Sequence, residues 1–289
     1  MSHIIVVGDL HGDFAKLNRL ICRRRPEFVL QVGDFGFWPF GQDAPHLHLK
    51  PQGAKIHWID GNHEEHEELL ETGGRLPGVD KVVFQPRGSV LQLPDGRNVL
   101  FCGGAKSIDH AVRMSGFNWF PDLEMLNEDD LYSFPDPNKV NIDIVVSHTA
   151  PCEFDVKGFP EHLWPDWWDH EPDPSRNILS VVYERYRPAR WFFGHFHRFQ
   201  EGECRGCKWT ALAAAQEGGR WWIPLDPPDE IRLSKRAIEK MVARDRDQKK
   251  LERSEVSQEQ LNRQNAFFSN LDVKKAKIVS RRFRPIKDS

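Results

Sequence analysis

Short apolar runs that end in Asp, Asn or His recur along this chain, and they restrict its fold more than any other feature. Runs of this length without polar alternation are typical of strands that are buried on both faces of a sheet. Residues 3–7, for example, are followed by Gly8-Asp9, and residues 28–32 by Gly33-Asp34. Five polar segments of this kind follow predicted strands, at residues 9–13, 33–34, 61–64, 147–148 and 194–197.

The order of the predicted elements favours a layered α/β sandwich. Apolar residues at helical spacing from 14 to 24 separate the first two strands, and a meander of short strands spans residues 82–102. A helix over 177–187 then leads into a strand over 189–193. Since open α/β sheets place their functional residues at the carboxyl ends of strands, we expect the five polar segments to converge.

The residue types in these segments are metal ligands. Asp and Asn supply hard oxygens and His supplies borderline nitrogens, a mixture that suits Mn, Fe or Zn better than Mg or Ca alone. One Gly-Asp at the end of a strand is common and is usually structural. Five such segments, each after a predicted strand, point consistently to a metal site.

The segments resemble the pattern D-x-H…GD…GNH-E/D…H…GH-x-H of the calcineurin-like metallophosphoesterase superfamily. Asp9-Leu10-His11 opens the match and His195-Phe196-His197 closes it, and the likeness extends over roughly residues 1–226. The resemblance implies an α/β fold, a four-layer αββα sandwich, with two divalent metal ions at the strand ends. Mn is the expected metal, with Fe or Zn as alternatives.

The resemblance also implies separate roles for the residues. The first metal would be held by Asp9, His11 and His197, the second by Asn62, His148 and His195, with Asp34 as the bridging carboxylate. Paired ions of this kind clamp a phosphate and activate a water molecule for attack on phosphorus. His63 would bind no metal; it would protonate the leaving oxygen or stabilise its charge, since the pKa of histidine lies near neutrality.

The expected function is hydrolysis of phosphate monoesters, on a small molecule or on protein serine or threonine. The first and third segments resemble protein serine/threonine phosphatases, but the second continues as Phe35-Gly36-Phe37-Trp38, without the acid and arginine of that branch. The whole is more similar to smaller bacterial and phage enzymes that carry GGA-x-S-x-D, here residues 103–109. A phosphodiesterase or nuclease acting on nucleotides or nucleic acid is one alternative, and a non-catalytic metal-containing binding module is another.

Two features outside the five segments bear on the substrate. Arg113 follows the GGA segment and is the candidate for gripping phosphate oxygens, because a planar guanidinium matches their geometry. Pairing of Arg113 with an acid such as Asp109 explains it equally well. The tryptophan-rich segment 164–168 is either a lid over the site or a cap on the core.

The charge distribution divides the chain. The formal net charge of the 289 residues is −3, but residues 231–289 contain 17 Lys and Arg against 8 Asp and Glu. We therefore expect a metallophosphoesterase domain over 1–228 and a charged, basic helical extension over 229–289. Such an extension serves as a solvated or partner-binding face, or grips nucleic acid phosphates. The chain shows no membrane span and begins with a predicted strand where a signal peptide would stand, so we expect a cytoplasmic protein without membrane contact.

Overall fold

The computed structural model describes residues 3–38, 44–158 and 165–226. This part of the chain contains three α-helices: α1 (Phe14–Arg24), α2 (His66–Thr72) and α3 (Ser175–Tyr186). The strands in the first half are β1 (Ile4–Val7), β2 (Phe28–Gln31), β3 (Lys55–Trp58), β4 (Val82–Phe84), β5 (Val90–Gln92) and β6 (Asn98–Cys102). Those in the second half are β7 (Ile144–Ser147), β8 (Arg190–Phe193), β9 (Gln200–Cys204), β10 (Cys207–Ala211) and β11 (Trp222–Pro224).

The strands form two sheets of mixed direction. The first sheet has the order β11-β1-β2-β3-β4, in which β1 to β4 run parallel and β11 is antiparallel to β1. The second has the order β5-β6-β7-β8-β10-β9, with a parallel centre of β6, β7, β8 and β10 between antiparallel edge strands. The parallel centres turn the carboxyl ends of their strands toward a common edge of each sheet.

Alternating side chains explain why the sheets lie between helices. In β1, Ile5 and Val7 pack with apolar residues of α1 and α2, whereas Ile4 and Val6 pack with residues of the second sheet. The opposite face of the second sheet packs with α3 through residues such as Leu179. Because strand side chains point alternately to the two faces, each sheet is apolar on both sides. The layers therefore follow the order helices, sheet, sheet, helix, and the expected αββα sandwich is confirmed.

Helix α1 begins directly after the first polar segment. Asp13 caps it by accepting a hydrogen bond from the backbone N–H of Lys16 at 3.1 Å, and Arg25 ends it in a left-handed conformation. Its buried residues Phe14, Leu17, Leu20 and Ile21 lie on one face. The apolar spacing thus fixes the helix against the first sheet and sets the loop before it at the sheet edge.

The structure differs from the predicted elements mainly at their ends. Helix α3 begins two residues before the predicted residue 177, and β7 covers Ile144–Ser147 where the sequence predicts a strand over 142–146. The turn at Arg205 and Gly206 joins β9 and β10 as an antiparallel hairpin. None of the helices in the described ranges is long and apolar enough to cross a bilayer. The predicted extension 229–289 and Trp164 lie outside the described residues.

Candidate metal centre

The predicted site residues converge where central strands of the two sheets end. Asp9 and His11 follow β1, Asp34 follows β2, and Asn62 and His63 follow β3; from the second sheet, His148 follows β7, and His195 and His197 follow β8. The two sheets meet face to face, so these loops lie at one edge of the sandwich. The structure brings together all seven residues to which the family resemblance gives a metal-binding role.

One group of side chains forms around Asp9. Ligand atoms of Asp9, His11, Asp34 and His197 all lie within 4.8 Å of one another. His197 Nε2 is 3.2 Å from Asp9 Oδ2 and 3.2 Å from His11 Nε2. Two carboxylates and two imidazoles in this arrangement could hold one divalent ion.

A second group lies around the side-chain amide of Asn62. Its Oδ1 is 3.1 Å from His148 Nε2 and 3.1 Å from His195 Nδ1. The carboxylate of Asp34 lies between the groups, with Oδ1 at 3.4 Å from His148 Nε2 and Oδ2 at 3.7 Å from His11 Nε2. Asp34 is therefore placed where one oxygen can serve each group.

Two further observations fit a cation at this place. Asp9 Oδ1 is buried and has no hydrogen-bond partner among the described residues. Burial of a carboxylate oxygen without a partner costs free energy, which a bound cation would offset. His148 Nδ1 donates to the carbonyl oxygen of Val32 at 2.9 Å, and this bond fixes the ring so that its other nitrogen, Nε2, faces Asp34. The donor set and its orientation thus suit divalent metal ions.

The backbone is unusual at four of these residues. His11, Asp34, His195 and His197 have φ angles of 42°, 51°, 64° and 53°. Non-glycine residues seldom adopt this left-handed region, and such strain is concentrated at functional sites. The conformation turns each side chain away from the strand direction and toward the centre of the site.

Close packing explains why the fifth segment begins with a glycine. A Cβ atom on Gly194 would collide with Asp9 Oδ1. The backbone N–H of His195 donates to Asp9 Oδ2 at 3.0 Å, in the same way that the N–H of His63 donates to Asp34 Oδ1 at 2.9 Å. Both central carboxylates are therefore oriented by backbone donors of neighbouring loops.

The buried carboxylate of Asp34 dominates the electrostatics. Burial alone would lower the pKa of His148, but the charge of Asp34 and its hydrogen bond outweigh burial and raise the pKa to about 10. Burial alone would raise the pKa of Asp34, but the charges of His148, His63 and His11 outweigh burial and hold this pKa well below its ordinary value. The ionised Asp34 carboxylate therefore favours positive charge beside it.

His63 and Arg113 lie side by side at the margin of the two groups. The His63 ring packs edge-on against His11, with centroids 4.9 Å apart. Arg113 Nη2 contacts the His63 ring, 3.0 Å from Nδ1, and pairs with Asp109 Oδ1 at 2.6 Å. Burial lowers the pKa of His63 to about 4; Asp34 opposes this shift, and the Arg113 guanidinium adds to it. Arg113 thus pairs with Asp109 and also reaches the margin of the site, while its expected grip on phosphate stays a prediction.

Two acidic residues support the site without having been assigned a role from the sequence. Glu64 Oε1 accepts from the backbone N–H of Phe35 at 2.6 Å, and its Oε2 from that of Gly61 at 2.6 Å, so it ties the second loop to the third. Glu217 Oε1 lies 2.7 Å from His197 Nδ1. Glu64 could have been suspected because it belongs to the GNHE segment. Nothing in the sequence around Glu217 marks it, since its partner is 20 residues away.

The sequence model of the calcineurin-like phosphoesterase family matches residues 2–199 of this chain. The chain belongs to this family. The match contains all seven residues of the two groups and His63, whereas Glu217 lies beyond its end. A search of the curated proteins finds no match for this chain.

Solved structures offer more distant comparisons. Phosphopantetheinyl hydrolase from Mycobacterium tuberculosis is 13% identical, with a TM-score of 0.45 over 78% of this chain and 96% of that one. A candidate 5′-nucleotidase from Staphylococcus aureus, solved with α-ketoglutarate, is 15% identical, with a TM-score of 0.44 over 73% and 48%. GAP50 of Plasmodium, described as the anchor in the inner membrane complex, is 11% identical, with a TM-score of 0.43 over 73% and 71%.

Proposed function

We propose that this family member is a metal-dependent hydrolase of phosphate monoesters. The observation that carries the proposal is the position of Asp34, whose two carboxylate oxygens face two separate groups of metal-ligand side chains. Asp9, His11 and His197 would hold one divalent ion, and Asn62, His148 and His195 the other, with Asp34 shared; Mn²⁺ is the ion we expect. Bound there, the ions would polarise a phosphoryl oxygen and lower the pKa of an attacking water molecule.

The remaining residues act on the substrate directly. His63 is held at the edge of the site by its own backbone bond to Asp34, where its ring can donate a hydrogen bond to the leaving oxygen. Arg113 supports that ring and brings a guanidinium, which favours the dianionic phosphate of a monoester over the single charge of a diester. The proposed metal ligands are shielded from bulk water, since Asp9, Asp34 and His148 are at most 1% exposed. Shielding of this kind strengthens the electrostatic contacts within a site.

The experiment compares two chromogenic esters in the presence of Mn²⁺, p-nitrophenyl phosphate and bis-p-nitrophenyl phosphate. We expect faster turnover of the monoester. Replacement of the shared carboxylate in Asp34→Asn should lower kcat by roughly 10²–10³-fold, as removal of a central charge-stabilising group does in other enzymes. Asp80→Asn is the matched control, because Asp80 is an exposed carboxylate.

Each outcome separates the alternatives. A diester rate equal to the monoester rate or above it would favour a phosphodiesterase or nuclease. Metal binding without hydrolysis of either ester would favour a non-catalytic binding module. Full activity of Asp34→Asn would contradict the metal-dependent reaction itself. Parallel metal analysis of the wild-type sample identifies the ions and their number.

A further inference from the structure

A buried chain of hydrogen bonds leads to Asn62 from outside the ligand set. Ser107, in the loop after β6, accepts a hydrogen bond at its Oγ from Asn62 Nδ2 at 3.1 Å. The carboxylate of Glu124 accepts two bonds from Ser107, from the hydroxyl at 2.9 Å and from the backbone N–H at 2.8 Å. Ser107 and Glu124 are each 1% exposed and Asn62 is 4% exposed, so bulk water does not compete for these bonds.

The direction of the bonds in this chain is determined by chemistry. An ionised carboxylate only accepts, and a serine hydroxyl has a single hydrogen to donate. Because Ser107 gives that hydrogen to Glu124, its oxygen can only accept from Asn62. The Asn62 amide must therefore turn its NH₂ group toward Ser107.

This polarity decides which atom of Asn62 faces the metal centre. The oxygen and nitrogen of a side-chain amide have almost the same shape, so packing alone does not distinguish the two orientations; the hydrogen-bond network does. With Nδ2 directed at Ser107, Oδ1 lies 3.1 Å from ring nitrogens of both His148 and His195. Only the oxygen has a lone pair for a cation, because the amide nitrogen's is delocalised.

Glu124 is itself held in place through its backbone. Its carbonyl oxygen accepts from the N–H of Ala105 at 2.9 Å, and its own N–H donates to Phe120 at 2.8 Å. Arg87 also donates to the carbonyl oxygens of Leu123, at 2.7 Å, and of Glu124, at 3.3 Å. The carboxylate thus meets Ser107 from a fixed position, which a polarity-setting group requires.

We infer that Glu124 and Ser107 are positioning residues that orient the Asn62 amide and thereby make the second metal position competent to bind. The inference rests on the proposed metal-dependent function. It assigns a role to the serine of the GGA-x-S segment, which otherwise has none. Both residues act through Asn62, and neither touches the reacting atoms.

The decisive variant is Glu124→Gln, which keeps the shape of the side chain but adds a donor. The new amide can donate to Ser107 Oγ, which frees the serine hydrogen for Asn62 Oδ1 and permits the reversed amide orientation. We expect Mn²⁺ affinity at one of two positions to fall about 10–100-fold, the usual effect of losing an outer partner of a metal ligand. The other position should keep its affinity, and saturating Mn²⁺ should restore kcat.

Glu153→Gln provides a matched control. Ser180 Oγ accepts a hydrogen bond from the backbone N–H of Cys152 at 3.1 Å and donates one to Glu153 Oε2 at 2.7 Å. The order of donor, serine and glutamate is therefore the same as at Glu124, but no proposed metal ligand takes part. Ser107→Ala is a second test variant, since it removes the acceptor and leaves the Asn62 amide free to rotate. It should reduce affinity at the same position.

Titration calorimetry with Mn²⁺, together with metal analysis after dialysis, gives the affinity and number of ions for each variant. Melting of the metal-free proteins shows whether a variant is merely less stable. If Glu124→Gln and Ser107→Ala bind both ions like the wild type, or if Glu153→Gln weakens binding equally, the inference is overturned. If the wild type binds two ions but hydrolyses no phosphoester, the proposed function fails, while the comparison of ion binding still tests the role of Glu124.

Discussion

Arg87 forms an extensively bonded, buried ion pair at the base of the candidate metal centre, and its removal should cost much of the stability of the domain. Its Nε and Nη2 donate to Asp60 Oδ2 at 3.1 and 2.8 Å, and Nη1 lies 3.2 Å from Asp130 Oδ2. Further bonds run to the carbonyl oxygens of Leu123, Glu124 and Met125. The guanidinium thus joins the end of β3, two residues before Asn62, to the loop that contains Glu124.

The magnitude of the loss depends on the groups that Arg87→Met leaves unpaired. The side chain of Asp60 is 3% exposed, and its Oδ1 has no hydrogen-bond partner among the described residues. Both side-chain bonds to its Oδ2 within the described ranges come from Arg87. Removing one partner of a buried pair costs about 3–5 kcal/mol, because the other charge stays buried without compensation. That is a large part of the ~5–15 kcal/mol that stabilises a typical protein.

Urea unfolding followed by tryptophan fluorescence and by circular dichroism measures this loss, and the melting temperature should fall by roughly 6–20 °C. Arg97→Met is the control: Arg97 pairs with Asp95 and Asp226, which are 46% and 58% exposed, so its loss should cost less than about 1 kcal/mol. Adding Asp60→Asn to Arg87→Met should recover part of the stability, because it removes the stranded charge. A loss below about 1 kcal/mol in Arg87→Met, or no recovery in the double variant, would refute the reasoning.

Three further predictions concern the site and its surroundings. Glu217→Gln should weaken Mn²⁺ binding about 10–100-fold in calorimetry, since the carboxylate fixes the ring orientation of His197, one of the proposed ligands; wild-type affinity would contradict this. Gly194→Ala should displace Asp9 and abolish the metal binding that is measured after dialysis, whereas Gly158→Ala, whose added methyl group meets no atom of the described residues within 4 Å, should bind normally. Burial above all lowers the pKa of His57 to about 4, so the unfolded chain takes up a proton below its ordinary pKa of about 6.5 while the folded chain does not. Stability should therefore fall by about 2 kcal/mol as the pH drops from 7 to 4.5, and urea titrations of His57→Gln should show a correspondingly smaller loss.

The polar segments and the apolar runs before them are local features, and the sequence was sufficient to predict their structural consequences. Residues 3–7 show a buried strand by their composition, and residues 14–24 show a helix by their spacing. The convergence of Asp9, Asp34 and His148 was also predictable, because the carboxyl ends of parallel strands meet at one edge. The predicted ends of α3 and β7 were less accurate, since capping and pairing with neighbouring strands decide where an element stops.

The supporting contacts could not be read from the sequence, because they join residues that are far apart in the chain. Arg87 and Asp60 are 27 residues apart, Glu124 and Ser107 are 17 apart, and each pair meets only because two loops fold over the same strand ends. Composition gave no reason to choose these acids among the 43 in the chain.

By itself the sequence determined the layered α/β class, since apolar periodicity is encoded locally. Its motifs, through their resemblance to a known family, also indicated the family and the set of candidate ligands. Only the tertiary structure decided that Asp34 faces both groups, that Glu217 holds His197, and that the Asn62 amide presents its oxygen to the centre. The physical reason is that distance, burial and hydrogen-bond direction are properties of side chains brought together by folding. These properties set which atoms can bind a metal ion.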